Sequence, residues 1–365
     1  MKLFCLQENL KNALNIVEKA TGQNPTLPIL SNLFLEAENS QLKISATNLE
    51  IGIVTWIPSK TEEKGEVCIQ SKIISGFINN INNGKIEIET KNKTLNIKKN
   101  DYTANILTTD SKNFPIIPKI KSTKKIKIKQ KDLKNSINKT INSAATNNLK
   151  PEITGIYFNL KKNSLKTAST DSFRLAENQI DYKGVIEDKN SFILPTKTAQ
   201  ELNRLLKESE DEVVLLLDEN QIMFDFDNIQ IFSKLIDGQY PNYEQIIPKN
   251  FKTKTTVKKQ EFLNVLKIAS VFCGKNNDIK IKINKKNIEI ISQDNEKGEN
   301  KNELNAKTDG PNLDINFNYK YLMDGLNNID DENIILNFNE KNTPVLMVGQ
   351  KEVGYNYIVM PVRSV

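Results

Sequence analysis

Histidine is absent from all 365 residues of this chain. Without an imidazole there is no Ser-His-Asp or Cys-His relay and none of the commonest zinc sites, so catalysis would fall to carboxylates, lysines or a cofactor. Cysteine is scarce: Cys5, Cys68 and Cys273 are odd in number and far apart, which argues against a disulfide framework and for a reducing cytoplasm. No run approaches the roughly 18 apolar residues of a membrane span, and the opening residues lack the apolar stretch of a signal peptide. The expectation is a soluble, cytoplasmic protein with no membrane partner. A phosphate-binding loop is missing too, because Gly274-Lys275 has neither the upstream Gly nor the following Ser or Thr. No Gly- or Arg-rich tail or aromatic-basic stripe supports stacking recognition of nucleic acid.

What is present is a repeat. Segments 2–17, 127–141 and 256–271 each read as a short alternating strand, a polar break containing Gln, and a helix. Aligning the breaks places Gln7, Gln130 and Gln260 in register, followed by the inward positions Leu10, Leu133 and Leu263. Separations of 123 and 130 residues suit whole domains and exceed any solenoid repeat. Segments 66–81, 191–206 and 313–326 repeat the strand-helix theme, entered through Ser71-Lys72, Thr196-Lys197 and Asn318-Tyr319-Lys320. Ser, Thr and Asn suit a helix start because their side-chain oxygens accept from free N–H groups of the first turn.

Between the helices, 85–98, 155–168 and 279–291 alternate apolar and polar residues through short turns such as Lys91-Asn92-Lys93 and Lys285-Lys286-Asn287. That is the pattern of antiparallel sheets with one face on a core. The fold class is α+β, with three similar domains at 1–118, 119–248 and 249–365, each carrying two helices on antiparallel sheets. Proline-containing connectors, which cannot donate to a ladder, mark the ends at Pro115 to Pro118, Pro241 to Pro248 and Pro361. The charged stretch 296–307 reads as a mobile loop.

Asp225 and Asp227 lie two apart and would share a strand face, but Phe224 and Phe226 alternate with them, so this is the wet side of a half-buried strand and no metal site is expected. Asp330-Asp331-Glu332 reads as a solvated turn. A net charge of +6 points towards a polyanionic partner. Lys11, Lys19, Lys72, Lys134, Lys139, Lys197, Arg204, Lys207, Lys267 and Lys320 fall on the repeated helices. Sharing one side of the molecule, they would follow a phosphate backbone without reading bases; ordinary solvated faces explain any one of them as well. The end of the chain, Tyr357 to Val365, stays apolar past Pro361, as a hydrophobic binding groove would.

Four ordered motifs complete the pattern: Pro25-Thr26-Leu27-Pro28-Ile29-Leu30, Thr170-Asp171-Ser172-Phe173-Arg174-Leu175-Ala176, Tyr240-Pro241-Asn242-Tyr243 and Met360-Pro361-Val362-Arg363. Together they resemble the beta subunit of bacterial DNA polymerase III, the sliding clamp, along the whole chain. The resemblance implies a head-to-tail homodimer closed into a ring around duplex DNA, without sequence specificity, catalysis, cofactor or metal. It implies partners that dock short linear peptides: the replicative polymerase, the clamp loader ATPase and repair proteins. Their pocket would comprise Ile153, Thr170, Phe173, Arg174, Leu175, Pro241, Ile246, Ile358, Val359, Met360, Pro361 and Val362. Phe173 stands where relatives carry His or Tyr, Gln245 where a basic residue occurs, and Ser364-Val365 in place of a terminal Leu. Asn24, Lys72, Lys134, Asn147, Lys197 and Arg204 would face DNA, and Ile106, Leu107, Val271 and Phe272 would pack across the subunit interface.

Helix dimensions support the dimer independently. Six helices, each about 10 Å wide, enclose a lumen of roughly 9 Å, too narrow for a duplex roughly 20 Å across, whereas twelve leave roughly 28 Å. The rival from another class is a carboxylate- or Lys-dependent enzyme on a repeated α+β scaffold; a monomeric scaffold protein is the third.

Overall fold

The computed structural model describes residues 1–22, 27–118, 120, 125–147, 149–182 and 190–362. Its helices are α1 (Gln7–Val17), α2 (Ser71–Asn80), α3 (Gln130–Ile141), α4 (Thr196–Leu205), α5 (Lys259–Val271) and α6 (Tyr319–Asn327). Strands form sheets of thirteen, nine and four members, and every described pairing is antiparallel. Among the described residues no helix is long and apolar enough to cross a membrane.

The alternating segments pair as their periodicity demands. Lys85–Lys91 joins Thr94–Lys99 through Asn92 and Lys93, both left-handed at φ 48° and 61°, the backbone of a tight hairpin turn that matches strand twist. Gly155–Leu160 pairs with Ser164–Thr170, and Asp278–Ile283 with Asn287–Asp294. The stretch expected to be a mobile loop is different. Gly298–Asn305 pairs with the whole of Asn287–Asp294, Asn287 opposite Asn305 and Asp294 opposite Gly298. Backbone pairing there needs no apolar pattern, because this strand ends its sheet and only Leu304 must be buried.

Each repeat opens with one bond geometry. The N–H of Gln7 donates to Gly84 O, that of Gln130 to Asp211 O and that of Lys259 to Glu332 O, all at 2.8 Å. Each acceptor immediately precedes a strand: Lys85–Lys91, Glu212–Leu217 or Asn333–Phe338. The third copy therefore starts one residue before the expected Gln260, which is exposed. Its first inward residue is Phe262, fully buried like Leu10 and Leu133. Gln7 Nε2 donates to Ile78 O within α2 at 2.6 Å, whereas Lys259 Nζ donates to Ile329 O just past the end of α6. A lysine begins the third helix where glutamine begins the other two, so aligning by residue identity slips the register.

Capping also differs from expectation. Asn318 Oδ1 accepts from the Lys320 N–H at 3.0 Å, but Ser71 is itself the first residue of α2 and buried. Thr196 likewise begins α4, and its hydroxyl donates to Thr154 O.

The chain divides into two compact units that do not follow the repeat boundaries: residues 1–130 with 204–235, and residues 131–203 with 236–365. Within the first, Ile51–Pro58 of the first repeat pairs with Ile229–Lys234 of the second. Within the second, Arg174–Asp181 of the second repeat pairs with Tyr355–Val359 of the third. Sheets thus run across repeat junctions. In that second unit α6 packs on Tyr357, where a Cβ on Gly325 would overlap the ring. Tyr357 is fully buried and its hydroxyl donates to Tyr321 O at 2.8 Å. Gly325→Ala is expected to lower unfolding free energy by about 1–3 kcal/mol through overpacking, checked by urea denaturation.

Candidate functional site

The unusual heptapeptide 170–176 folds as a turn tied by its own side chains. Thr170 Oγ1 accepts from the Ser172 N–H at 3.1 Å and donates to Arg174 O at 2.7 Å. Asp171 Oδ1 accepts from the N–H groups of Phe173 and Arg174, both at 2.9 Å. Ser172 sits at φ 77°, a left-handed setting held by those bonds. Phe173 is thrown outward, 59% exposed, its ring 6.5 Å from that of Tyr321. Arg174 Nε donates to Asp171 Oδ2 at 3.0 Å, its Nη1 pairs with Asp324, and its guanidinium lies 4.6 Å from the Tyr321 ring centre. A cation held by two carboxylates over an aromatic face is rigid.

Beyond the turn, Leu175 pairs with Ile358, and Ile358 in turn with Leu346. Leu175, Ile358, Leu346, Ile153, Tyr240 and Tyr243 form one buried cluster. Tyr157 stacks on Tyr240 at 4.8 Å. Tyr243 donates to Glu177 Oε2 at 2.8 Å, and burial together with that carboxylate raises its hydroxyl pKa, so it stays a donor. Burial raises Tyr240 and Tyr321 in the same direction. Past Val359 the chain remains tied, Met360 N–H to Phe173 O and Val362 N–H to Asn316 O, both at 2.8 Å. The ladder itself ends at Val359, and beyond it the chain changes partner.

Models of the DNA polymerase III beta subunit match the chain as N-terminal domain over 1–118, central domain over 127–242 and C-terminal domain over 244–363. It belongs to that family. The beta sliding clamp of Staphylococcus epidermidis is 27% identical over 365 residues, covering 97% of both chains, and that of Staphylococcus aureus is 27% identical over 363. The crystal structure of the Bacillus subtilis DNA polymerase sliding clamp superposes with a TM-score of 0.97 at 26% identity, covering 100% of both chains. A DNA polymerase III beta subunit from Eubacterium rectale gives 0.94 at 29% identity, covering 99% of each. The chain is a DNA sliding clamp with the α+β clamp fold.

In this clamp chain the positions expected to form a peptide pocket fall into three groups. Ile153, Leu175 and Ile358 are buried together in the cluster. Phe173, Pro241, Ile246 and Val362 are exposed, with Thr170, Arg174, Met360 and Pro361 half-buried. Val359 is a correction: it is fully buried in the other cluster, with Tyr357, Phe262 and Leu322, because adjacent strand residues point to opposite faces. Sequence reasoning missed Tyr240, Tyr243, Tyr321, Asp324 and Leu346. The two connector tyrosines were visible as aromatics beside Pro241, whereas Leu346 needs the strand register.

Of the positions expected to face DNA, Lys72, Lys197 and Asn147 are exposed, Lys134 is half-buried and Asn24 lies outside the described residues. Arg204 donates to Asn15 O and Ile16 O at 3.4 and 3.2 Å, over the last turn of α1. Lys139 is corrected: it is 7% exposed and paired with Asp330 and Glu352. Asp330 itself stays 69% exposed, on the solvated turn expected there. Among the interface candidates Leu107 and Val271 are 79% and 64% exposed, Phe272 is half-buried, and Ile106, 6% exposed, lies in its own core. Asp225 and Asp227 do not share a face. Asp227 leaves the strand at φ 50° and bonds Gln130 and Lys207, while Asp225 accepts from Gln230.

Phe173→Ala is expected to change unfolding free energy by no more than about 0.5 kcal/mol, while Val359→Ala costs about 2 kcal/mol from its sealed core. Equal effects in urea titrations would contradict the division between groove and core.

Proposed function

We propose that this chain works as a non-catalytic, homodimeric ring that encircles duplex DNA, tethers the replicative polymerase and recruits the clamp loader and repair proteins through short peptides. Full-length agreement in sequence and fold with proteins named sliding clamps carries this reading. Three domains at 1–118, 119–248 and 249–365 are its repeating parts.

Physical observations support the finer points. Lys72, Lys197 and Lys320 each occupy the first turn of a helix that has no acid there. A cation there opposes the helix dipole, typically by 0.3–1 kcal/mol, and such a placement is useful where a polyanion passes. The dimer reading is supported by open sheet edges: Tyr102–Thr109, paired on one side with Thr94–Lys99, meets Gly65–Gln70 on the other only at Thr108 and Thr109, and Gly298–Asn305 ends its sheet. Such edges template pairing with another chain, and Leu107 and Val271 would be covered by it. For peptides, the aromatic and apolar side chains of Phe173, Ile246, Met360 and Val362 offer anchors beside the buried cluster. Met360 adapts to varied sequences through its flexible thioether.

A ring holds DNA topologically. Loaded protein is expected to remain on circular DNA through gel filtration and to be lost after linearisation; equal retention on both would sink the proposal. Deleting residues 360–365 is expected to abolish binding of a polymerase-derived peptide in calorimetry while light scattering still finds the dimer. Intact peptide binding would move the pocket elsewhere.

A further inference from the structure

The turn at 170–174 is made twice in this chain. In residues 47–51 the Thr47 hydroxyl donates to Ile51 O at 3.0 Å and accepts from the Leu49 N–H at 3.1 Å, while Asn48 Oδ1 accepts from the N–H groups of Glu50 and Ile51 at 3.0 and 2.9 Å. Leu49 has a left-handed φ of 76°, as Ser172 has at 77°. Ile51 lies opposite Ser233 as Arg174 lies opposite Val359, and the Lys234 N–H donates to Glu50 O at 2.9 Å as Met360 N–H does to Phe173 O. Phe114 stacks on Phe34 at 5.3 Å as Tyr240 stacks on Tyr157. Register therefore makes Val54 the counterpart of Glu177, and Phe114-Pro115 that of Tyr240-Pro241.

Two differences separate the copies at this place, and they occur together. The first connector passes from Pro115 directly to Ile116-Ile117-Pro118, whereas the second inserts Asn242-Tyr243-Glu244-Gln245 between Pro241 and Ile246-Ile247-Pro248. Where the insertion packs, a buried acid replaces a valine: Glu177 and Val54 are each 4% exposed. Glu177 Oε2 accepts from the Tyr243 hydroxyl at 2.8 Å and Oε1 from Asn356 Nδ2 at 3.0 Å, and Lys166 Nζ bridges Glu177 at 3.4 Å and Glu244 at 3.2 Å. One carboxylate thus ties the strand after the turn, the inserted residues and the final strand. In the first copy an apolar side chain fills the same register position, so the fold itself does not require the acid.

We infer that Glu177 is a positioning residue for peptide docking, an assignment that rests on the peptide-groove reading above. It anchors the inserted residues so that Pro241 and Ile246, the exposed groove positions on either side of them, are held in fixed places. A hydrogen bond to a carboxylate is directional and short-ranged, whereas apolar packing leaves a connector free to shift. A groove already held in its bound shape spares the peptide the cost of ordering it. Without the anchor the same side chains are present, but each docking event must first arrange them.

The test gives the second copy the apolar chemistry of the first, Glu177→Val with Tyr243→Phe, in the full-length protein. Replacing both partners of a buried bond by apolar groups leaves stability nearly unchanged, which thermal unfolding checks, whereas affinity for a polymerase-derived peptide in calorimetry is expected to fall about 3- to 10-fold. Amide hydrogen exchange in 242–247 of the free protein is expected to quicken, and bound peptide to restore its protection. Glu177→Gln keeps an oxygen for the Tyr243 hydroxyl and is expected to lose less than about 2-fold. Affinity losses that simply follow the fall in thermal midpoint in both variants, with exchange in 242–247 unaltered, assign a structural role alone and overturn the inference. The unsubstituted protein separates the two levels. If it does not bind the peptide, the groove reading falls and the anchor with it; if it binds and the double variant binds as tightly, only the anchor falls.

Discussion

The antiparallel ladder between Arg174–Asp181 and Tyr355–Val359 is the constraint on which the candidate site depends. Its period of two sends Leu175 and Ile358 into one cluster and Ala176, Tyr357 and Val359 into the other. A slip of one residue would exchange the two sets, burying the wrong face on each side. The ladder also sets where the chain goes next. Met360 can reach Phe173 O, and Val362 can reach Asn316 O, only because Val359 is held opposite Arg174. The turn at 170–174 then fixes Phe173 outside, with Arg174 clamped between Asp171 and Asp324.

The helices are held to their sheets by two different kinds of force. Beneath α5 the contacts are apolar, with Phe262, Leu266 and Ala269 all fully buried. Beneath α3 the buried Leu133 and Ile137 are joined by a polar seam. Ser136 and Thr167 hydroxyls lie 2.8 Å apart, Asn178 Nδ2 donates to Ser136 Oγ at 3.1 Å, and Ser169 donates to Thr140 O. All five residues are buried. Such bonds contribute only about 1 kcal/mol each, yet leaving one unmade costs about 1–3 kcal/mol. Hydrophobic burial is non-directional and tolerates rotation of a helix; this seam does not. It therefore fixes which side of α3 is exposed, the side carrying Asn135 and Asn138.

The repeat shows what a sequence pattern carries and where it misleads. Alternation in 85–98 and 279–291 identified strands because a half-buried sheet demands a period of two whatever the chain does elsewhere. Residue identity was a poorer guide at the third helix, where Lys259 holds the first helical position that Gln7 holds in the first copy. Gly298–Asn305 was illegible for the opposite reason, since an edge strand solvated along most of its length needs little apolar signal to pair. Cap residues were partly legible: Asn318 behaves as expected, whereas Ser71 and Thr196 sit one position inside the helix, and the Thr196 hydroxyl donates to Thr154 O.

By itself the sequence determined the class of fold, the threefold repeat, the family and the exclusion of histidine chemistry. Periodicity, spacing and composition are local or additive properties of a chain. Tertiary structure alone decided which way each of two neighbours points, with Ile358 and Val359 in different clusters and Leu107 exposed beside a buried Ile106. It also decided which lysine is spent, as with Lys139, and which residues from distant segments meet, as Leu346 meets Leu175 through Ile358. Those outcomes depend on strand register and helix rotation, which are set by contacts between segments far apart in the chain.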